Sequence, residues 1–168
     1  IYTYAIFSCY NPTMNTEIRK ITEESYPTLL REINDPPESL YIRGSLPDPS
    51  TKLLVIVGSR KYTPYGKDVT EDLVAGLSGH NVAIVSGLAL GIDGIAHEAA
   101  LKNGLKTVAV LGSGLDKSVL YPSLHRPLAE KIVQSGGALL SELEPLSKAA
   151  QHTFPKRNRI VAGMSHAV

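Results

Sequence analysis

Short apolar runs alternate with stretches of helical periodicity along the chain from residue 52 onward. Three of the runs stop at a glycine and open into a pattern typical of a helix. The runs 53–57 and 107–111 are apolar at almost every position, which favours strands that are buried on both faces. The pattern predicts strands at 53–57, 82–85, 107–111 and 138–142, and helices at about 65–78, 92–103, 125–135 and 155–164.

This alternation predicts an α/β fold with a mostly parallel sheet and helices on both faces. The three glycine turns begin at Gly58, Gly87 and Gly112. Because parallel strands joined by crossover helices end at the same edge of their sheet, the turns are expected to meet in one crevice. That crevice is the predicted functional site.

The first 51 residues follow a different pattern. Thr13 or Asn15 is the expected cap of a short helix over 18–26, and Pro27 begins a second helix. A short strand is predicted at 40–43. We therefore predict two parts: a helical and extended segment, 1–51, and a core domain, 52–168, on which that segment packs. Since 167–168 resembles the start of another strand, that domain is expected to be incomplete at its C-terminal end.

Composition limits the classes of partner. The 168 residues correspond to about one domain, and no apolar run approaches the ~18 residues of a membrane span. Nothing in the composition indicates secretion, so a cytoplasmic protein without a membrane partner is predicted. The net charge is +1, so any attraction to nucleic acid must come from local clusters of cations.

Two such clusters lie where the predicted strands end or a helix begins. Gly58-Ser59-Arg60-Lys61 follows the first strand, and Phe154-Pro155-Lys156-Arg157-Asn158-Arg159 opens the last helix. Cations at a helix N-terminus oppose the helix dipole, and a bound anion would explain that conflict. Aromatic side chains beside the cations, including Tyr62, fit base stacking over a phosphate backbone. Each feature alone also has a structural explanation, as a tight turn, a solvated cation or a core aromatic.

Catalytic and cofactor motifs are weak. The turn at Gly112-Ser113-Gly114 has Lys117 where the third glycine of a dinucleotide fingerprint would stand, and no phosphate-binding loop motif occurs. Asp93 and His97 are four residues apart and share a helix face, so they could pair, but the favoured interpretation is a capping aspartate and a hydrogen-bonded structural histidine. No metal-ligand spacing is present, so no catalytic residue, metal or cofactor is predicted.

The ordered motifs resemble those of the DNA-processing protein A family, also called DprA or Smf. The motifs that carry the resemblance are Tyr26-Pro27, Asp35-Pro36-Pro37, Leu40-Tyr41-x-Arg43-Gly44, Gly58-Ser59-Arg60, Ser86-Gly87-Leu88-Ala89, Gly91-Ile92-Asp93, Ala96-His97, Leu111-Gly112-Ser113-Gly114, Tyr121-Pro122, Ser141-Glu142 and Phe154 through Ile160. The agreement spans roughly residues 26–168. Members of the family continue past this end with further strands and the dimer surface.

The resemblance implies a Rossmann-like, doubly wound domain of a bacterial protein that binds single-stranded DNA during natural transformation. It also implies loading of the RecA recombinase, a homodimer in the full-length protein and no catalysis. The implied DNA and phosphate contacts are Gly58, Ser59, Arg60, Lys61, Gly87, Leu88, Gly112, Ser113, Gly114, Phe154, Lys156, Arg157, Asn158 and Arg159. One alternative is a nucleotide-binding enzyme of related fold, similar to nucleoside-monophosphate phosphoribohydrolases, whose catalytic loop would follow Val168. A second alternative is a protein-interaction scaffold with a vestigial nucleotide crevice.

Overall fold

A computed structural model describes residues 16–168, which form a six-stranded sheet in the order β1-β2-β6-β5-β4-β3. The strands are β1 (Ile18–Ile21), β2 (Leu40–Gly44), β3 (Lys52–Val55), β4 (Val82–Ser86), β5 (Lys106–Val110) and β6 (Ala138–Ser141). The four strands β3 to β6 are parallel, and β2 and β1 add antiparallel at one edge. The predicted α/β class with a mostly parallel sheet is confirmed.

Helices cover both faces of this sheet, as the sequence predicts. They are α1 (Thr28–Arg31), α2 (Pro64–Gly76), α3 (Ile92–Lys102), α4 (Arg126–Gln134) and α5 (Thr153–Gly163), with short 3-10 helices at Glu23–Ser25 and Ser123–His125. On one face, side chains of α3 pack with Ile84 and those of α4 pack with Ala109. On the other face, side chains of α1 and α5 pack with Val108 and Val110. Successive residues of β5 thus point into opposite cores, which explains the continuous apolar run.

The last helix runs back across the sheet. Crossovers through α2, α3 and α4 step from β3 to β6, and α5 then returns the chain to the far side of β3. There Ala167 pairs in parallel with Leu54, and its carbonyl accepts a hydrogen bond from Val55 N at 2.9 Å. The prediction of another strand beginning at 167–168 agrees with this bridge. The loop before α5 leads to one face of the sheet, whereas the loops before α2 and α3 lead to the other face. A crevice therefore opens above the carboxyl ends of the strands.

The predicted helix over 18–26 is wrong. Ile18–Ile21 is a strand that pairs with β2, and only Glu23–Ser25 is helical, as a 3-10 turn. Ile18 and Ile21 are three residues apart, which fits a helix face, but in the strand they reach opposite faces. Ile18 packs on the core under α4, and Ile21 on the core under α5. Tertiary pairing therefore overrides the local period, and the proposed caps Thr13 and Asn15 lie outside the described residues.

Strands from both sides of residue 51 belong to the same sheet, since β2 pairs with β6 through Tyr41 and Ser141. The division of the chain into 1–51 and 52–168 stays a prediction. Within residues 16–168, no helix is long and apolar enough to cross a membrane.

Candidate functional site

A cavity of about 290 Å³ lies above the carboxyl ends of β3 and β4. Its walls include the predicted residues Gly58, Arg60, Gly87, Arg157 and Asn158. A smaller gap of about 40 Å³ adjoins it and brings in Phe154 beside the same two arginines. The structure therefore unites the first two glycine turns with one side of α5. We call this site the crevice.

Arg157 forms the inner wall of the crevice and is only 8% exposed. Its Nη1 donates to the Gly87 carbonyl at 2.7 Å and to the Val110 carbonyl, while Nε donates to Asn158 Oδ1 at 3.1 Å. Burial lowers the pKa of the guanidinium, with the Asp93 carboxylate acting in the opposite direction and Arg60 in the same one. Arg157 thus ties the ends of β4 and β5 together, and among the described residues none accepts a hydrogen bond from its Nη2.

The glycines of the three turns allow other side chains to pack directly on the backbone. A Cβ at Gly87 would lie 2.5 Å from Arg157 Nη1, and one at Gly112 would lie 2.7 Å from Phe154 Cδ1. At Gly58 the nearest atom would be Ile92 Cγ1, at 2.8 Å. Gly87 and Gly112 are therefore required for the approach of Arg157 and Phe154, whatever the crevice binds.

The first two turns are locked together at the start of α3. Asp93 Oδ2 accepts hydrogen bonds from Gly87 N at 3.1 Å and Ala89 N at 3.4 Å, so the carboxylate caps the turn. Gly91, with a φ of +87°, lies against the Ser59 carbonyl. The same carbonyl accepts a hydrogen bond from the backbone N–H of Ile92, the residue after Gly91. This contact sets the position of Arg60 relative to Gly87.

Arg60 is an exposed cation at the mouth of the crevice. Its guanidinium carbon lies 5.7 Å from the centroid of the half-buried Phe154 ring, a cation–π contact. The Tyr121 ring centroid lies 5.7 Å from the same ring, with 52° between the planes. No carboxylate in the described part of the chain lies within salt-bridge distance of Arg60. A cation and two aromatic rings thus stand together, and no carboxylate of residues 16–168 pairs with the cation.

Several predicted site residues lie away from the cavity. Lys156 Nζ is 3.5 Å from the Glu142 carboxylate, and Arg159 bonds Glu142 at 2.6 Å and Asp35 at 2.8 Å. Lys156 and Arg159 are three residues apart on α5 and share the face toward β6, whereas Arg157 points to the crevice. Their positive charge is therefore largely matched by carboxylates.

The remaining predicted positions shape the turns. Leu88 is fully buried in the core despite a φ of 57°, and the Ser113 hydroxyl donates to the Gly114 carbonyl at 3.0 Å. A Cβ at Gly114 would meet a backbone carbonyl at 2.2 Å, so this residue is enclosed. Ser59 Oγ accepts a hydrogen bond from Lys61 N at 3.0 Å, and the Lys61 side chain is exposed outside the cavity wall.

Some lining residues were not predicted as contacts. Ala89, Leu90 and Tyr121 border the gap beside Phe154. An aromatic residue soon after the third glycine turn is the signal that could have indicated Tyr121. No comparable signal marks Ala89 or Leu90, because their role depends on how the second turn folds back over the sheet.

Asp93 and His97 do not pair, and the structural interpretation of both is confirmed. Thr107 donates its hydroxyl proton to the Ile84 carbonyl at 2.8 Å, so it accepts from His97 Nδ1 at 2.7 Å. His97 Nε2 is buried, with no partner in the described part of the chain. Burial lowers the pKa of His97 to about 3, and the neighbouring His125 and Arg157 act in the same direction. The imidazole is therefore neutral in the folded protein.

The buried neutral His97 predicts a pH dependence of stability. Since its pKa falls from 6.5 to about 3 on folding, only the unfolded chain binds this proton between those values. The free energy of unfolding should then decrease as the pH drops through this window, by at most about 1.4 kcal/mol per pH unit. Thermal melting from neutral to acidic pH measures it. His97→Asn keeps an amide donor for Thr107 without titrating, so an equally steep slope in that variant would contradict the assignment.

These features define a Rossmann-like α/β protein with a cation-lined crevice at the carboxyl edge of its sheet. Residues 16–168 contain no cluster of three or more histidine, cysteine, aspartate and glutamate side chains that could hold a metal ion. The chain belongs to the DNA recombination-mediator protein A family, whose model matches residues 17–168. The resemblance to DprA and Smf proteins is thereby confirmed.

Curated relatives and solved structures agree with this assignment. The Smf protein of Escherichia coli is 37% identical over 160 residues, which are 95% of this chain and 42% of that protein. DprA of Streptococcus pneumoniae is 41% identical over 148 residues, covering 88% and 51%. The chain spans about half the length of the curated relatives it matches.

Two solved structures share the fold at a TM-score of 0.76. DNA processing protein A of Streptococcus pneumoniae is 36% identical, with 92% of this chain and 54% of that chain covered. DNA processing protein A of Helicobacter pylori is 31% identical, with 90% and 67% covered, and that structure concerns its single-stranded DNA binding mode.

Proposed function

We propose that this chain is the single-stranded DNA-binding domain of a bacterial recombination mediator that acts on DNA taken up during natural transformation. The observation that carries the proposal is the exposed Arg60 guanidinium beside the Phe154 ring, at a crevice whose inner wall is Arg157. Membership in the family and the single-stranded DNA binding of the Helicobacter pylori relative support it.

The two kinds of side chain match the two parts of a nucleotide. A guanidinium forms paired hydrogen bonds with phosphate oxygens, and an aromatic face stacks on any base. Arg60 has no acidic partner among the described residues, so a phosphate would not compete with a salt bridge for its guanidinium. Arg157 Nη2 and the Asn158 amide add donors from the wall. The site therefore suits a nucleic acid strand whose bases are unpaired.

We further propose that the full-length protein is cytoplasmic, helps to load RecA on the bound strand, forms a homodimer and has no enzymatic activity. The absence of catalysis is supported by the site itself. The acidic residue in the crevice wall, Asp93, caps a turn, and His97 is sealed in the core beside Thr107. Neither is placed to act as a general acid or base on a bound ligand.

Arg60→Ala should weaken binding of single-stranded DNA by a similar factor for all base sequences, because a phosphate contact does not discriminate between bases. The slope of log affinity against log salt should fall by about 0.7, the value for one lost phosphate contact on a single strand. Fluorescence titrations at several salt concentrations measure both quantities. Thermal melting should be unchanged, since Arg60 is exposed.

The matched control is Arg31→Ala, which removes an exposed arginine from the last turn of α1, outside the crevice. Equal affinity and slope for Arg60→Ala and the unchanged protein would remove this arginine from the site.

The enzymatic alternative is tested by a separate assay on the full-length protein. Release of free base from nucleoside monophosphates above background would favour a phosphoribohydrolase over a binding protein.

A further inference from the structure

An open groove of about 430 Å³ borders Phe154, and Arg60 is not among the described residues that line it. It is bounded by the loop after β5 and the segment before α5. We call it the Lys148 groove and define it by Tyr121, Arg126, Lys148, Gln151 and Phe154. Phe154 and Tyr121 also border the gap that opens into the crevice, so the two rings form a ridge between crevice and groove.

The charge of the Lys148 groove is one-sided. Among the described residues that line it, Arg126 and Lys148 are cations and none is a carboxylate. Lys148 is exposed and forms no salt bridge with the described carboxylates. Arg126 is held in place, because its Nη2 donates to the Ser118 carbonyl at 2.9 Å and its Nε to the Leu120 carbonyl at 3.3 Å. Such a lining attracts an anionic ligand.

The ridge is suited to a strand that passes over it. Tyr121 is half exposed, and its ring is tilted against Phe154. The crevice lies at the ends of β3 and β4, and the groove lies beside loops that follow β5 and β6. Together they cross about three strand spacings, roughly 15 Å. One stacked nucleotide advances a strand by only about 3.4 Å, so this length accommodates several nucleotides.

We propose that the Lys148 groove binds the next nucleotides of the same single strand that occupies the crevice. Lys148 contacts a phosphate, Arg126 supplies a second positive charge, and the Tyr121 and Phe154 rings stack with bases where the strand crosses the ridge. The inference rests on the proposed DNA-binding function and extends its site from the ends of β3 and β4 to the loops after β5 and β6.

The experiment uses the full-length protein and oligothymidylates of graded length, from about 4 to about 16 nucleotides, the range of site sizes in single-strand-binding folds. Lys148→Ala should leave the affinity for the shortest oligonucleotides unchanged, because these fill the crevice alone. It should weaken the longer ones severalfold and lower their salt slope by about 0.7. Lys148→Arg should restore both values. The control is Lys106→Ala, which removes an exposed lysine at the amino end of β5, away from the crevice and the groove. This variant should change neither the affinity nor the salt slope.

Two outcomes would overturn the proposal. Equal affinity and salt slope for Lys148→Ala and the unchanged protein at every length would exclude the groove from the DNA path. An equal loss at all lengths would place Lys148 on the first nucleotides instead of the following ones. Arg60→Ala distinguishes these outcomes from failure of the crevice itself, since it should weaken oligonucleotides of every length.

Discussion

Gly91→Ala is expected to reduce the free energy of unfolding by roughly 2 to 6 kcal/mol and to weaken DNA binding strongly. Gly91 has a φ of +87°, and a Cβ there would lie 2.2 Å from the Ser59 carbonyl oxygen and 2.7 Å from Arg60 Cα. Backbone strain of this kind costs about 1 to 3 kcal/mol, and overpacking adds about 1 to 3 kcal/mol. The turn that carries Arg60 would have to move away from the second turn.

Gly104→Ala separates the two effects. Gly104 also has a positive φ, +69°, but a Cβ there would meet no atom of the described residues within 4 Å. Only the backbone strain of about 1 to 2 kcal/mol applies, and binding should be normal. Chemical denaturation and DNA titration of both variants provide the comparison. If Gly91→Ala is no more destabilising than Gly104→Ala, the contact between the two turns does not hold Arg60 in place.

Arg157→Ala is expected to destabilise the fold as well as to weaken binding, in contrast to Arg60→Ala. It leaves the carbonyls of Gly87 and Val110 without their buried donor, and each unsatisfied acceptor costs about 1 to 3 kcal/mol. The sum is about 2 to 6 kcal/mol of the free energy of unfolding, measurable by denaturant titration. Removing a buried cation offsets part of this cost.

The matched control lies one residue earlier on α5. Lys156 is 58% exposed, with a 3.5 Å ion pair to Glu142, and Lys156→Ala should change the stability by no more than about 1 kcal/mol. An unchanged free energy of unfolding for Arg157→Ala would show that the guanidinium does not tie β4 to β5. In that event its contribution would be limited to ligand contact.

Much of the fold could be predicted from the chain, because local signals and tertiary structure agree from residue 52 onward. Apolar runs mark strands that have a core on each side, and glycines mark where those strands end. The exception was the edge strand β1. Ile18 and Ile21 are spaced for a helix, yet each contacts a different core only as part of a strand.

The site was less predictable, because neighbours in sequence separate in space. Lys156, Arg157 and Arg159 belong to one basic cluster, but α5 turns Arg157 into the crevice and the other two toward Glu142. The carboxylates that pair with the outer cations are Asp35 and Glu142, which belong to other segments of the chain. The number of cations was therefore visible in the sequence, whereas their pairing was not.

The sequence by itself determined the α/β class, the three glycine turns on one edge and the presence of cations and aromatic residues there. These depend on local periodicity, composition and order along the chain. Only the tertiary structure decided that Arg60 stands exposed beside Phe154, that Arg157 is buried between two strand ends, and that the rings separate the crevice from the Lys148 groove. Burial and charge pairing depend on residues far apart in sequence, so they appear only when the chain is folded.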